Sequence, residues 1–430
     1  MGPGPRDPRS TTHRWVYLAA LMWAGEGIYM LPYMRKTFET SMAEAFGITG
    51  TELATVNGLF GALALVCYFP GGWLADRFPA RPLLTISLVT TGAGGLYLTT
   101  FPGYAGLLAV HAFWGVTSIL TFWAALIKAT REWGGSDAQG RGFGALDAGR
   151  GVVAALLASI ATYVFAQGTT SQARLEGVLW VYGLAPIAAG AFVWVVLPSR
   201  LPVERRRGDA AGEPAPTRSP VASWKAAARR PEVWLLAVVV FAAYWLYLGT
   251  FAFPAFAERA HGQSKTFGAV LGTFRDWLRP VAAIGAGLLA DRLRSSRVIG
   301  AGFLLLCVTF ASLCWLPASA GGVGWLWAQV TAAALAVFAL RGVYYALMEE
   351  GRIPRGLTGT AVGIVSVVGY APDTFAFLLS ASLVRAGPEG AGDRAHFGLL
   401  AAIAVVGFLA STAIAKRHPP SSRDAEARGA

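Results

Sequence analysis

Residues 71–81 read "GGWLADRFPAR" and residues 285–297 read "GAGLLADRLRSSR". Gly72, Leu74, Ala75, Asp76 and Arg77 of the first stretch recur as Gly287, Leu289, Ala290, Asp291 and Arg292 of the second. The copies are half of the 430-residue chain apart. One such stretch is an ordinary basic turn. Two at matching positions, each closing a long apolar run, mark an internal duplication, an architecture common among membrane transporters.

Working outward from the two turns, apolar segments of roughly twenty residues, enough to cross a bilayer, fall near 15–37, 53–75, 82–101, 104–127, 142–166, 177–198, 232–257, 266–290, 298–316, 322–348, 356–384 and 396–415. The expected fold is all-α and integral to the membrane, with twelve transmembrane helices in two pseudo-symmetric six-helix bundles. The expected organisation is an N-terminal tail over 1–14, bundles over 15–198 and 232–415, a linker over 199–231 rich in Arg, Pro and Ala, and a C-terminal tail over 416–430.

Composition agrees. Hydrophobic residues make up 55% of the chain and charged residues 14%, with 15 Trp and 52 Gly, a membrane-protein profile. The net charge of +12 follows from topology. Of 36 basic residues, 25 lie in the termini and the even-to-odd loops, five on the opposite side and six within spans. That asymmetry predicts cytoplasmic termini in a plasma (inner) membrane and attraction to anionic lipid. It leaves nothing for nucleic acid to explain. Cys67, Cys307 and Cys314 lack metal-ligand spacing and read as small core hydrophobes. No metal or cofactor is expected. Without G-x-x-x-x-G-K-[ST] a nucleotide-driven pump is not expected in this single chain, and no nucleophile–base spacing supports an enzyme.

The informative charges are those inside the spans. Span 1 holds Glu26, Arg35 and Lys36; span 5 holds Asp147 and Arg150; span 8 holds Arg275, Asp276 and Arg279; span 10 holds Arg341; span 11 holds Asp373. Spans 3, 6, 9 and 12 hold none, so these are expected to be free to face lipid. A mid-bilayer charge costs about 2.5–3.5 kcal/mol, so the charged residues are expected to face protein or water. Arg279 lies roughly 18 Å from Asp291 by helical rise, and Arg341 about 13 Å from Glu350. Arg275, Asp276 and Arg279 share one helical face, and Tyr344 and Tyr345 flank Arg341.

Six basic residues against four acidic favour an anionic substrate, which an arginine fork can grip. Asp147 and Arg150 can instead neutralise each other. Glu26, with Tyr29 and Tyr33 on its face, suits proton coupling or an ion pair across the bundle. Asp276 and Asp373 are the other proton-coupling candidates, and His111 reads as a buried hydrogen-bonder. Gly142, Gly144, Gly149 and Gly151 read as helix-packing positions.

The two signature stretches resemble the loop motif of the major facilitator superfamily, Gly-x-Leu-Ala-Asp-Arg-x-Gly-Arg-Arg, with Phe78-Pro79-Ala80 as the departure. The resemblance covers the whole chain. It implies two six-helix bundles around a substrate cavity that opens alternately to each side. It also implies a gating latch formed by Gly72, Asp76, Arg77, Arg81, Gly287, Asp291 and Arg292. Within that superfamily "YMLPYMRKTF" (29–38) is similar to the first helix of organophosphate:phosphate antiporters, which makes Arg35 an anion-binding residue by that likeness. The seventh span, "AYWLYLGTF" (243–251), departs by offering Tyr247 and no charge.

The expectation is a secondary transporter, acting as a monomer, for a small organic anion such as a carboxylate, phosphate ester or sulfonate. Arg35, Arg275, Arg279, Arg341, Tyr29, Tyr247 and Tyr344 are its substrate-binding candidates. The gradient is supplied by a proton or a counter-anion. A non-transporting sensor of the same anion, or a neutral solute with internally paired arginines, are the alternatives.

Overall fold

The computed structural model describes residues 11–134, 139–198, 220–315, 322–354, 357–386 and 390–418. Within it the helical backbone of Gly72, Asp76, Arg77, Asp291 and Arg292 is described but their side chains are not. The latch contacts expected of those five side chains lie outside the described residues, as do Gly142 and Gly144 beyond their helical backbone. The chain forms two compact units, Met1–Leu201 and Pro202–Ala430. Their boundary falls inside the stretch expected as a linker.

The duplication is visible in how helices stop and start. In the first unit the helix Arg35–Phe46 ends at Gly47 (φ 64°), and in the second Phe253–His261 ends at Gly262 (φ 60°). That left-handed backbone favours glycine, which has no Cβ to clash. Two residues on, Thr49 and Ser264 cap the next helices. The Thr49 hydroxyl accepts from the Glu52 amide at 3.2 Å, and Glu52 accepts in return from the Thr49 amide at 2.7 Å. Ser264 accepts from the Phe267 amide at 3.1 Å. Both satisfy amides that a helix start leaves open. The helices they launch, Gly50–Arg77 and Lys265–Arg292, are each 28 residues long. Both end in extended backbone, at Phe78 and Leu293. Stop, cap and start thus recur at the spacing of the Gly-x-Leu-Ala-Asp-Arg copies.

The described residues contain no strand. The first unit runs Thr11–Met30, then Arg35–Phe46, Gly50–Arg77, Ala80–Leu98, Tyr104–Gly134, Gln139–Gln167 and Ser171–Val196; a π-helical stretch, Thr117–Trp123, interrupts the fourth span. The second unit has a short helix Pro220–Ala228, then Pro231–His261, Lys265–Arg292, Ser295–Trp315, Gly322–Glu350, Thr358–Arg385 and Ala391–Arg417. Among the described residues nine helical stretches are long and apolar enough to cross a membrane. Lys265–Arg292 is kept out of that group by its own charges, Arg275, Asp276 and Arg279 among them.

The third span packs on the sixth and the ninth on the twelfth. Glycines permit the approach: a Cβ at Gly92 would meet the Gly183 carbonyl oxygen at 2.5 Å, and one at Gly407 would strike the Phe303 ring. Both pairs expose apolar side chains, including Trp180, Val195, Leu304 and Leu409. The fifth and eighth spans also expose Ile160, Tyr163, Val281 and Leu288. Lipid-facing surface is therefore not confined to the uncharged helices, because an amphipathic helix separates its charges from its apolar face. In the fifth span, a Cβ at Gly149 would overlap Met22, so that glycine serves the packing of spans 1 and 5. The three cysteines are free.

Candidate functional site

Three spans of the second unit break near its polar side chains. The seventh passes through a 3-10 turn at Thr250–Ala252, the tenth through Tyr344–Ala346, and the eleventh through Ala371–Thr374. Irregular backbone within a membrane is tolerated where it is enclosed by protein or lines a cavity. A break also ends the helical register. Val343 (φ −124°, ψ −7°) turns the tenth span. The Tyr344 hydroxyl therefore lies 3.1 Å from that of Tyr370, and the Tyr345 hydroxyl 3.4 Å from Ser366 Oγ. The two tyrosine rings stay 4.7 Å apart across the turn, and both remain close enough to Arg341 to interact with its charge.

Arg341 stands over Tyr247, its Cζ 4.0 Å from the ring centroid, with the Tyr244 ring at 5.6 Å. Tyr244 donates a 2.6 Å hydrogen bond to Asp373 Oδ2 and meets Tyr370 edge-on at 4.8 Å. Arg279, from the eighth span, is close enough for the two guanidinium charges to repel. Among the described residues no carboxylate reaches ion-pair distance of Arg341, and its buried Nη1 has no hydrogen-bond partner. Aromatic faces offset part of a desolvated cation's cost but leave its N–H donors open to an anion.

Arg275 and Arg279 occupy one face as expected, yet their surroundings differ. Arg275 is 1% exposed. Its Nη2 lies 3.0 Å from Asp276 Oδ1, its Nη1 donates to Thr250 Oγ1 at 3.4 Å, and its Cζ sits 4.7 Å from the Phe251 ring centroid. Thr250 and Phe251 form the break in the seventh span, and Thr250 itself donates to the Tyr247 carbonyl at 2.6 Å. Arg275 ties the eighth span to that break.

In the first unit the charges close on one another. Arg150 Nη2 lies 3.2 Å from Glu26 Oε2, and Nη1 lies 3.9 Å from Asp147 Oδ1. The guanidinium faces Tyr29 at 5.8 Å and Trp123 at 5.7 Å. Gly25 leaves room for it, since a Cβ there would lie 3.1 Å from Arg150 Cδ. Trp123 ends the π-helical stretch, which is stitched to the third span by Ser87···Thr121 (2.5 Å) and Thr91···Thr117 (3.1 Å).

Arg35 follows a break at residues 31–34 that contains Pro32, and it ion-pairs with Glu39 one turn on. His111 is fully buried, with Nδ1 at 3.0 Å from the Leu107 carbonyl oxygen and its ring against Trp114.

Of the gating-motif residues whose side chains are described, Arg81 stacks over Trp194 at 4.1 Å. A Cβ at Gly287 would meet open space. Lys128 donates at 2.6 Å to the Ala75 carbonyl at the end of the second span, a favourable place for a cation. The corresponding end of the second unit carries Arg294 paired with Glu350, which also accepts from the Ser296 amide at 2.9 Å. Among the described residues no group of His, Cys, Asp and Glu could hold a metal ion.

Tyr244 and Tyr370 were not singled out from sequence. Tyr244 had a readable signal: it follows Tyr29 by the same spacing as the repeated motif. Tyr370 had none, because its meeting with Tyr244 and Tyr344 joins three different spans.

The sequence model of the Major Facilitator Superfamily matches residues 18–377. Inner membrane protein YihN of Escherichia coli (strain K12) is 29% identical over 413 residues, covering 95% of this chain and 96% of that protein. A bacterial homologue of the human lysosomal transporter Spinster, solved inward-facing and unoccupied, superposes with a TM-score of 0.72 at 15% identity, over 96% of this chain and 100% of that one. The nucleoside transporter NupG superposes with a TM-score of 0.68 at 13% identity, over 94% and 100%. Duplicated helix starts, apolar helices and a family match over most of the length agree: the chain is a membrane protein that belongs to the Major Facilitator Superfamily.

Proposed function

We propose that the protein is a secondary transporter of a small organic anion, a carboxylate, phosphate ester or sulfonate, working by alternating access with Arg341 as the anchoring charge. The observation that carries this reading is the open guanidinium of Arg341. It sits among Tyr244, Tyr247 and Arg279, with no carboxylate in ion-pair range among the described residues. A cation whose Nη1 is buried without a hydrogen bond is costly to keep, and a bound anion relieves that cost. Tyr244, Tyr247 and Tyr344 supply aromatic walls and hydroxyls. Asp373, joined to the site through Tyr244, is the proton-coupling candidate next to the anchor. Glu26 and Asp276 are each engaged by an arginine.

Membership of a transporter superfamily supports solute movement, and the excess of Arg and Lys in alternate loops supports cytoplasmic termini. YihN is itself described as an inner membrane protein, which favours the same location here.

The test is uptake into proteoliposomes alongside thermal stabilisation of the purified protein by carboxylates, phosphate esters, sulfonates and neutral sugars. A ligand that binds the folded state raises its stability. One anion class is expected to stabilise wild type, to be taken up, and to lose both effects in Arg341→Gln. Stabilisation without flux identifies a sensor. A response to neutral compounds alone removes the anion reading. Uptake that acidifies the vesicle lumen marks proton symport, and uptake that requires internal anion marks exchange.

A further inference from the structure

Before the seventh span, the helix Pro220–Ala228 carries Trp224 and Lys225, followed by Arg229 and Arg230 and then the helix opening at Pro231. Ala227 is buried, while Trp224, Lys225, Arg229 and Trp234 are exposed. One edge of Trp224 borders Gly363 on the eleventh span, and Trp234 Nε1 donates to the Ala228 carbonyl at 2.7 Å. The short helix is thereby fastened beside the ends of two spans, with Trp224, Lys225, Arg229 and Trp234 exposed and Arg230 half-buried beside them.

None of the three cations has a carboxylate partner among the described residues. Glu232, the first acid that follows them, is held by His418 at 3.3 Å and Arg417 at 4.0 Å. Tryptophan at the end of a membrane helix seats at headgroup depth, and unpaired Lys and Arg there attract anionic headgroups.

We infer that Trp224, Lys225, Arg229, Arg230 and Trp234 form a docking surface for the headgroup of an anionic phospholipid. The cations bind the phosphate, and the two indoles fix the depth at which it is met. Charge complementarity selects this occupant, because the patch is basic, has no internal counter-charge, and lies where a spanning helix begins. An acidic protein segment would satisfy the same charge but would leave two exposed indoles in water.

The test is native mass spectrometry of the purified protein titrated with phosphatidylglycerol or phosphatidylcholine. Lys225→Gln/Arg229→Gln/Arg230→Gln is compared with wild type and with the charge-keeping Lys225→Arg/Arg229→Lys/Arg230→Lys. The expected result is tight retention of phosphatidylglycerol over phosphatidylcholine in wild type and in the charge-keeping variant. In the neutral variant its affinity falls on the order of a hundredfold, as three headgroup charges imply. Trp224→Ala should weaken both lipids. Equal phosphatidylglycerol retention by the neutral variant overturns the inference. So does full displacement of the lipid by soluble glycerol phosphate, which would make the patch a small-anion site.

Discussion

The two units place a tyrosine and an arginine in nearly the same relation. Tyr29 lies 5.8 Å from Arg150 in the first unit, and Tyr244 lies 5.6 Å from Arg341 in the second. The tyrosines are separated by the spacing of the sequence repeat. Their carboxylates part company. Glu26 pairs directly with Arg150, whereas Asp373 is taken by the Tyr244 hydroxyl and does not reach Arg341. Only the tyrosines are repeat copies, since the positions matching Arg150 and Arg341 are Val365 and Leu126, so the duplicated scaffold carries one closed and one open cluster built from unrelated charges. Under the proposed function the closed one is a structural element and the open one is the anion site.

The comparison can be broken from either side. The largest effect is expected from Arg150→Gln, which removes the arginine ion-paired with buried Glu26 and costs about 3–5 kcal/mol in unfolding of the purified protein. Glu26→Gln/Arg150→Gln should recover most of the loss. A single variant as stable as wild type would show that the first knot holds nothing together.

Arg341→Gln should do the opposite. Substrate uptake or affinity falls by about a hundredfold or more, the scale of a lost charge-assisted contact, while the unfolding midpoint barely moves. Destabilisation as large as that of Arg150→Gln would make Arg341 scaffolding as well.

Smaller again is Tyr247→Leu, which removes the ring beneath Arg341. A cation–π contact of about 1–2 kcal/mol predicts roughly five- to thirtyfold weaker anion binding by thermal shift titration. Tyr29→Leu in the first unit should leave that titration unchanged. The smallest effects are the caps. Thr49→Ala and Ser264→Ala should each cost about 1 kcal/mol, and similar values from both would extend the duplication from geometry to energetics.

How much of this was legible varies with the range of the interaction. The Gly-x-Leu-Ala-Asp-Arg copies are local strings, and the caps at Thr49 and Ser264 lie at the same spacing, so a helix-by-helix comparison of the two halves finds them. The uncharged third, sixth, ninth and twelfth spans were legible as well, since lipid exposure acts on each residue singly. Pairing across the bundle was not. Glu26 had Arg150 and several other cations as formal partners, and nothing local distinguishes them. Arg35, read as an anion ligand from its resemblance to an antiporter helix, has a local ion pair with Glu39 one turn on, in the helix that follows the break around Pro32. Tyr344 and Tyr345 keep their rings 4.7 Å apart, and their hydroxyls reach Tyr370 and Ser366 on the eleventh span, contacts the sequence does not show.

The sequence by itself determined the class of protein, the duplication, the helices and the set of ionisable groups that have to be sheltered from lipid. Those follow from the cost of placing charge and open backbone in hydrocarbon, which each segment meets on its own. Only the tertiary structure decided which charges neutralise one another and which stay open. Ion pairing falls off within a few ångströms, and helix breaks at Thr250, Val343 and Ala371 reset the direction of every side chain beyond them.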